Sequence, residues 1–134
     1  MGQVQSPEQR AASGFNVVVL AGHLSSAPQR RTLASGSELW SFEVTTPTED
    51  GSWSVPVAWF DPATEPAFSA GDEVVVVGTV KRRFFRGAGG TQSRTEVVAT
   101  DLVPISARQR VKRLLQREAE QLGARSGGAL RSSA

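Results

Sequence analysis

One stretch, residues 73–86, constrains the fold more than any other. Val74, Val75, Val76 and Val77 are apolar on both faces of a strand, which fits a strand buried on both sides. Gly78 ends that run and the character changes. By a period of two, Lys81, Arg83 and Phe85 fall on one face and Arg82, Phe84 and Arg86 on the other. A single strand, Glu73–Phe85, is therefore expected to be core at one end and a charged, aromatic ribbon at the other.

The neighbouring segments fit the same plan. Val17–Leu24 reads as a first strand, with Gly22 a bulge or a point of close backbone approach. After a turn region ending at Leu33–Gly36, Glu38–Thr46 alternates Trp40, Phe42 and Val44 against Ser41, Glu43 and Thr45. Glu49-Asp50-Gly51 signals a hairpin into a third strand, Trp53–Phe60. Pro62, Pro66 and Gly71 make residues 61–71 a connection with at most a short helix. The Gly87–Gly90 tip leads into a fifth strand, Gln92–Leu102. Five strands with short connections in so few residues predict an all-β, small closed barrel, since closure removes exposed sheet edges. The expected organisation is a flexible arm over 1–14, the barrel over 15–105, a basic amphipathic helix over 106–122 and a disordered tail over 123–134.

Composition narrows the chemistry. The chain has 134 residues, no cysteine and one histidine. Disulfides and cysteine-ligated metals are excluded, and a histidine-based metal site is not expected. No apolar run approaches the ~20 residues needed to span a membrane, and the first 14 residues lack the apolar centre of a signal peptide. The expected location is the cytoplasm. Net charge is only +2, but from Ser106 onward seven Lys/Arg face two acids, a net of +5 that leaves −3 for the residues before. Local basic patches on a mildly acidic body point to a defined track for an anionic ligand.

Cations interleaved with aromatics suit single-stranded nucleic acid, because cations neutralise phosphates and rings stack on exposed bases. Lys81, Arg82, Arg83, Phe84, Phe85 and Arg86 are the first candidates, with Arg94 on the returning strand. The competing reading is a charged hairpin with one buried Phe. Trp53, Val55, Val57 and Trp59 share a face of the third strand, either as a stacking platform or as core. Core packing is the reading for Trp40 and Phe42, and His23 is given no role. No nucleophile or phosphate-binding loop motif is present, and the acids read as solubilising groups in turns and exposed strand positions. No cofactor or catalysis is expected.

With these residues in view, positions 16–105 resemble the bacterial single-stranded DNA-binding protein family. The resemblance rests on Asn16–Leu24, Pro28 with Arg31 and the Ser35-Gly36 turn, Trp53 through Trp59 and Phe60, Gly71–Gly78 followed by Lys81, Arg83 and Phe85, and Thr95–Ala99. It implies an OB-fold, a five-stranded Greek-key barrel, and a homo-oligomer, tetramer or dimer. It also implies sequence-tolerant binding of single-stranded DNA in replication, recombination or repair. By position the strand-contacting roles fall on Arg31, Trp53, Val55, Trp59, Lys81, Arg83 and Phe85. Val55 stands where the family often has a cation, which removes a phosphate contact. The family's extra aromatic near Asp50 is absent, and so is its acidic C-terminal tip: the chain ends Arg131-Ser-Ser-Ala134. Recruitment of replication or recombination proteins by that route is not expected, and a specialised copy of the family is.

Two other functions fit parts of the pattern. One is a primosome-like OB-fold accessory protein acting mainly through protein contacts. The other is a nuclease on the same scaffold, for which Asp61, Glu65 and Asp72 are the nearby acids. RNA in place of DNA is separable only by competition.

Overall fold

The computed structural model describes residues 14–132, with side chains through Arg125. Among these, six strands precede one helix: β1 (Val18–Leu24), β2 (Gln29–Thr32), β3 (Glu38–Thr48), β4 (Gly51–Phe60), β5 (Glu73–Gly87), β6 (Gly90–Pro104) and α1 (Arg108–Ser132). Two compact units result, a barrel over Val17–Ala107 and a second unit containing α1.

The hydrogen-bonded order β1-β5-β6-β4-β3 closes on itself because β1 also pairs with β3, through His23–Thr45 and Leu24–Val44. Every pairing round the barrel is antiparallel except β4 with β6, which is parallel at Val57–Val97. This is the OB-fold, a five-stranded Greek-key barrel. The four valines of β5 are all buried, as their two-sided apolarity predicts. Val74 and Val76 point into the interior with Leu24, Phe42, Val44, Val57 and Val97.

Two glycines set where backbones meet. At Gly22 the β1–β5 register runs unbroken, so this is close approach and not a bulge: a Cβ there would overlap the carbonyl oxygen of Thr45. The bulge lies instead opposite Gly78. Val77 pairs with Asp101 and Gly78 with Ala99, which leaves Thr100 as the extra residue, its Oγ1 donating to the Val77 carbonyl at 3.1 Å. At the β3–β4 hairpin, Thr48 pairs with Gly51 around Glu49-Asp50, and the φ of +122° at Gly51 is one that glycine adopts without strain.

Four of the five expected strands extend past the bounds read from pattern, β1 begins one residue later than expected, and β2 is an addition. Gln29–Thr32 is polar on both faces and fully exposed, so it has no alternation to reveal it. It lies along β3 through backbone pairing, reinforced by Thr32 Oγ1 donating to Glu38 at 2.7 Å. Residues 61–71 contain no helix.

The second unit departs more from expectation. α1 continues ten residues past Leu122, so the tail expected to be disordered from Gly123 is helical as far as Ser132. Gly123 is a weak helix former, but elongating an existing helix adds one hydrogen bond per residue fixed, and Ala124 and Arg125 favour it. The arm expected over 1–14 lies, apart from Gly14, outside the described residues. No helix among the described residues is long and apolar enough to cross a membrane.

Candidate nucleic-acid interface

Beyond Val80 every residue of β5 is exposed, as is every residue of β6 before Glu96. The two strands there form a ribbon, Lys81–Gly87 paired with Gly90–Glu96, projecting past the packed part of the barrel. Its charge is concentrated. Residues 81–96 hold five cations and one acid, whereas the remainder of the 17–107 unit holds two cations and nine acids. An anionic ligand is steered to the ribbon and repelled elsewhere.

Register sorts the candidate residues into two faces. Val80 and Val97 pair, and Val97 points into the core, so Arg82, Phe84 and Arg86 continue the interior face outward, opposite Thr95, Ser93 and Thr91. Lys81, Arg83 and Phe85 take the outer face with Gln92, Arg94 and Glu96. On the interior-side face, Phe84 is 68% exposed, with the Arg82 guanidinium carbon 5.4 Å from its ring centre. Arg82 Nη2 also donates to Ser93 Oγ at 3.2 Å, which holds the cation beside the ring.

β4 adds to this face. Trp53 lies four residues before the core residue Val57 and on the same face of β4, the strand that flanks β6 on the side away from β5. Trp53 is 60% exposed. The two tryptophans that share this face of β4 thus have different surroundings. Trp53 stands clear, whereas Trp59 and Val55 are half-buried against the core. Trp59 pairs across β3 with Trp40, itself half-buried under the Arg30 guanidinium at 5.9 Å. Arg31 is exposed on β2, on the strand distant from the ribbon in the sheet order.

The outer face holds a feature that the sequence reading misplaced. Glu96 was grouped with the solubilising acids, yet it is buried, at 3% exposure. Its Oε1 pairs with Arg83 Nε, and its Oε2 lies 3.9 Å from Arg94 Nε. The strand's alternation does not flag it, since it puts Glu96 on the face opposite the core residue Val97. Two candidate phosphate-binding arginines are therefore already engaged by a carboxylate. Replacing Glu96 by Gln is expected to free them. Binding to oligo-dT should tighten at low salt and its log–log salt slope should steepen by up to about 1.4, two phosphate contacts on a single strand. Stability should fall by about 1–2 kcal/mol, because a buried charge-assisted contact is lost. Salt-dependent titration and a thermal melt measure both.

The acids of the nuclease alternative are not drawn into one cluster. Asp61 and Glu65 line a pocket with Arg30, Glu38, Trp40 and Pro62, but Asp72 lines a different one. Asp61 Oδ1 accepts the Glu38 N–H at 2.8 Å, and Asp72 accepts the Ser69 N–H at 2.9 Å. Asp61 thus ties the residue after β4 to the start of β3, and Asp72 holds the turn that precedes β5.

No family model matches the chain. Among curated proteins it is similar to "Single-stranded DNA-binding protein 1" of Chlorobaculum tepidum, with 30% identity over 111 residues, covering 72% of this chain and 68% of that one. That similarity spans most of both chains and accompanies a closed OB-fold barrel with a cationic, aromatic ribbon. The chain belongs to the single-stranded DNA-binding protein family.

Proposed function

We propose that this protein binds single-stranded DNA with little sequence preference and performs no chemistry on it. The observation that carries this reading is the ribbon: three exposed rings, Trp53, Phe84 and Phe85, stand among five cations on an otherwise acidic barrel. Stacking accepts any base because every base has a π-face, and phosphate neutralisation is indifferent to sequence. The strand runs along the interior-side face past Trp53, Phe84, Arg82 and Arg86. Lys81 and Phe85 serve as contacts where it crosses to the outer face, and Arg83 and Arg94 serve once Glu96 releases them. Trp59, Val55 and Arg31 form a secondary stretch. Coating exposed strands in this way protects them during replication, recombination or repair. Homo-oligomers would lengthen the track.

Titration with oligo-dT tests the reading through intrinsic fluorescence. The chain has three tryptophans, of which Trp53 is the exposed one, so it should dominate the quenching. The ribbon's share of the log–log salt slope per chain is expected between about −2, for Lys81, Arg82 and Arg86 alone, and about −3.5, for all five ribbon cations. A folded protein that shows no quenching at low salt overturns the reading. Competition with oligo-rU then separates DNA from RNA.

A further inference from the structure

We propose that α1 is a second phosphate-binding element, one that takes the backbone of a single-stranded polynucleotide through its N-terminal half. The inference rests on the strand-binding reading above and adds a ligand site outside the barrel. Arg108–Arg117 contains five cations, Arg108, Arg110, Lys112, Arg113 and Arg117, and no acid; both acids of the helix, Glu118 and Glu120, come later. Arg110, Arg113 and Arg117 stand at i, i+3 and i+7, so they form one stripe of about 10 Å at 1.5 Å per residue. All three are exposed. Val111, Leu114 and Leu122, which are at least partly buried, take the adjoining face, and Leu114 borders the stripe, four residues after Arg110 and three before Arg117.

A helix whose charges served only solubility would mix signs and gain from i, i+4 pairs. This one places Arg108, Arg110, Lys112 and Arg113 ahead of both acids, while Arg117 is paired with Glu118, its Nη2 3.5 Å from Oε1. It also places them against its own dipole: the first turn has no acid and contains Arg108 and Arg110, an arrangement that costs a helix about 0.3–1 kcal/mol per charge. The preceding residue, Ala107, has no side chain able to cap the helix N-terminus. Helix stability therefore does not account for the cations, whereas an external polyanion does, because phosphates near the N-terminus satisfy both the arginines and the dipole. The helix follows the barrel unit directly in the chain, so any strand that touches both ribbon and α1 gains the second contact intramolecularly.

The test compares the full-length chain with its R110Q/R113Q variant in oligo-dT titrations from 0.1 to 1 M salt, with Arg125→Gln as control. Arg125 lies past the acids and donates to the Gly14 carbonyl at 3.2 Å. Losing two phosphate contacts should flatten the slope by about 1.4, a deficit that grows about 25-fold as salt falls across that range. The quench at saturation, the thermal midpoint and the mass by light scattering should be unchanged, and R125Q should match the parent. If the parent binds and R110Q/R113Q keeps its slope, the helix site is wrong and the ribbon reading stands. If the parent itself does not bind, both are wrong.

Discussion

Replacing Trp53 and Phe84 together by alanine should weaken binding to oligo-dT by about 2–6 kcal/mol, at least about 30-fold, while leaving the barrel nearly as stable as before. The estimate follows from base–aromatic stacking, worth about 1–3 kcal/mol per base for each ring removed. Stability should hardly move because Trp53 and Phe84 are 60% and 68% exposed, and surface substitutions mostly fall within about 0.5 kcal/mol. Trp59 is a poorer probe, since its ring packs on the core and removing it would perturb folding as well as binding. The salt slope separates the two components of affinity: it should persist in the double variant, because Lys81, Arg82 and Arg86 remain. The two rings stand on the strands that flank β6, so a DNA strand that touches both couples them and the single variants need not add up to the double. A double variant that binds within about threefold of the parent would move the track to the outer face, where Phe85 is the remaining exposed ring.

The parts of this molecule legible from its sequence are those with a period. The Val74–Val77 run announced a strand buried on both sides, and the Trp40–Val44 alternation gave β3 its inward face, realised by Phe42 and Val44. The barrel followed because five such segments need closure. What was not legible depends on register. Alternation places Arg82 and Arg83 on opposite faces but does not say which one meets the barrel's interior side; the inward Val74 and Val76 and the Val80–Val97 pair decide that. It also could not divide Trp53 from Trp59, identical in type and on one face, because their difference is how far each lies from the Val57–Val97 pairing. Glu96 was missed for a related reason. A carboxylate in a polar, cationic segment reads as solvated until the partner strand brings Arg83 alongside it. β2 is held by backbone bonds between polar residues, which leave no hydrophobic trace.

Those register effects meet at Gly78, where packed barrel becomes exposed ribbon, and Gly78→Ala is expected to lower stability by about 2–3 kcal/mol. The added Cβ would overlap the Val98 carbonyl oxygen and lie 2.9 Å from its carbon and 3.0 Å from Ala99 Cα. All three are backbone atoms within the β5–β6 ladder, so no side-chain rotation relieves the contact. Overpacking of this kind costs about 1–3 kcal/mol, occasionally more, and outweighs the roughly 0.4–1 kcal/mol that Gly→Ala gains by restricting the unfolded chain. At roughly 4–8 °C per kcal/mol for a domain of this size, the melting midpoint should drop by about 10–20 °C. Gly22→Ala is the matched comparison. Its Cβ would overlap the Thr45 carbonyl oxygen where β1 closes on β3, so it should be destabilising for the same reason. The two should differ in binding. The bulge opposite Gly78 sets the direction in which the ribbon leaves the barrel, and bulges re-aim the side chains beyond them. Well below either midpoint, G78A should therefore bind oligo-dT more weakly than the parent, with reduced Trp53 quenching, whereas folded G22A should bind like the parent. Equal affinities for the two variants would mean that the bulge shapes the barrel without aiming the ribbon.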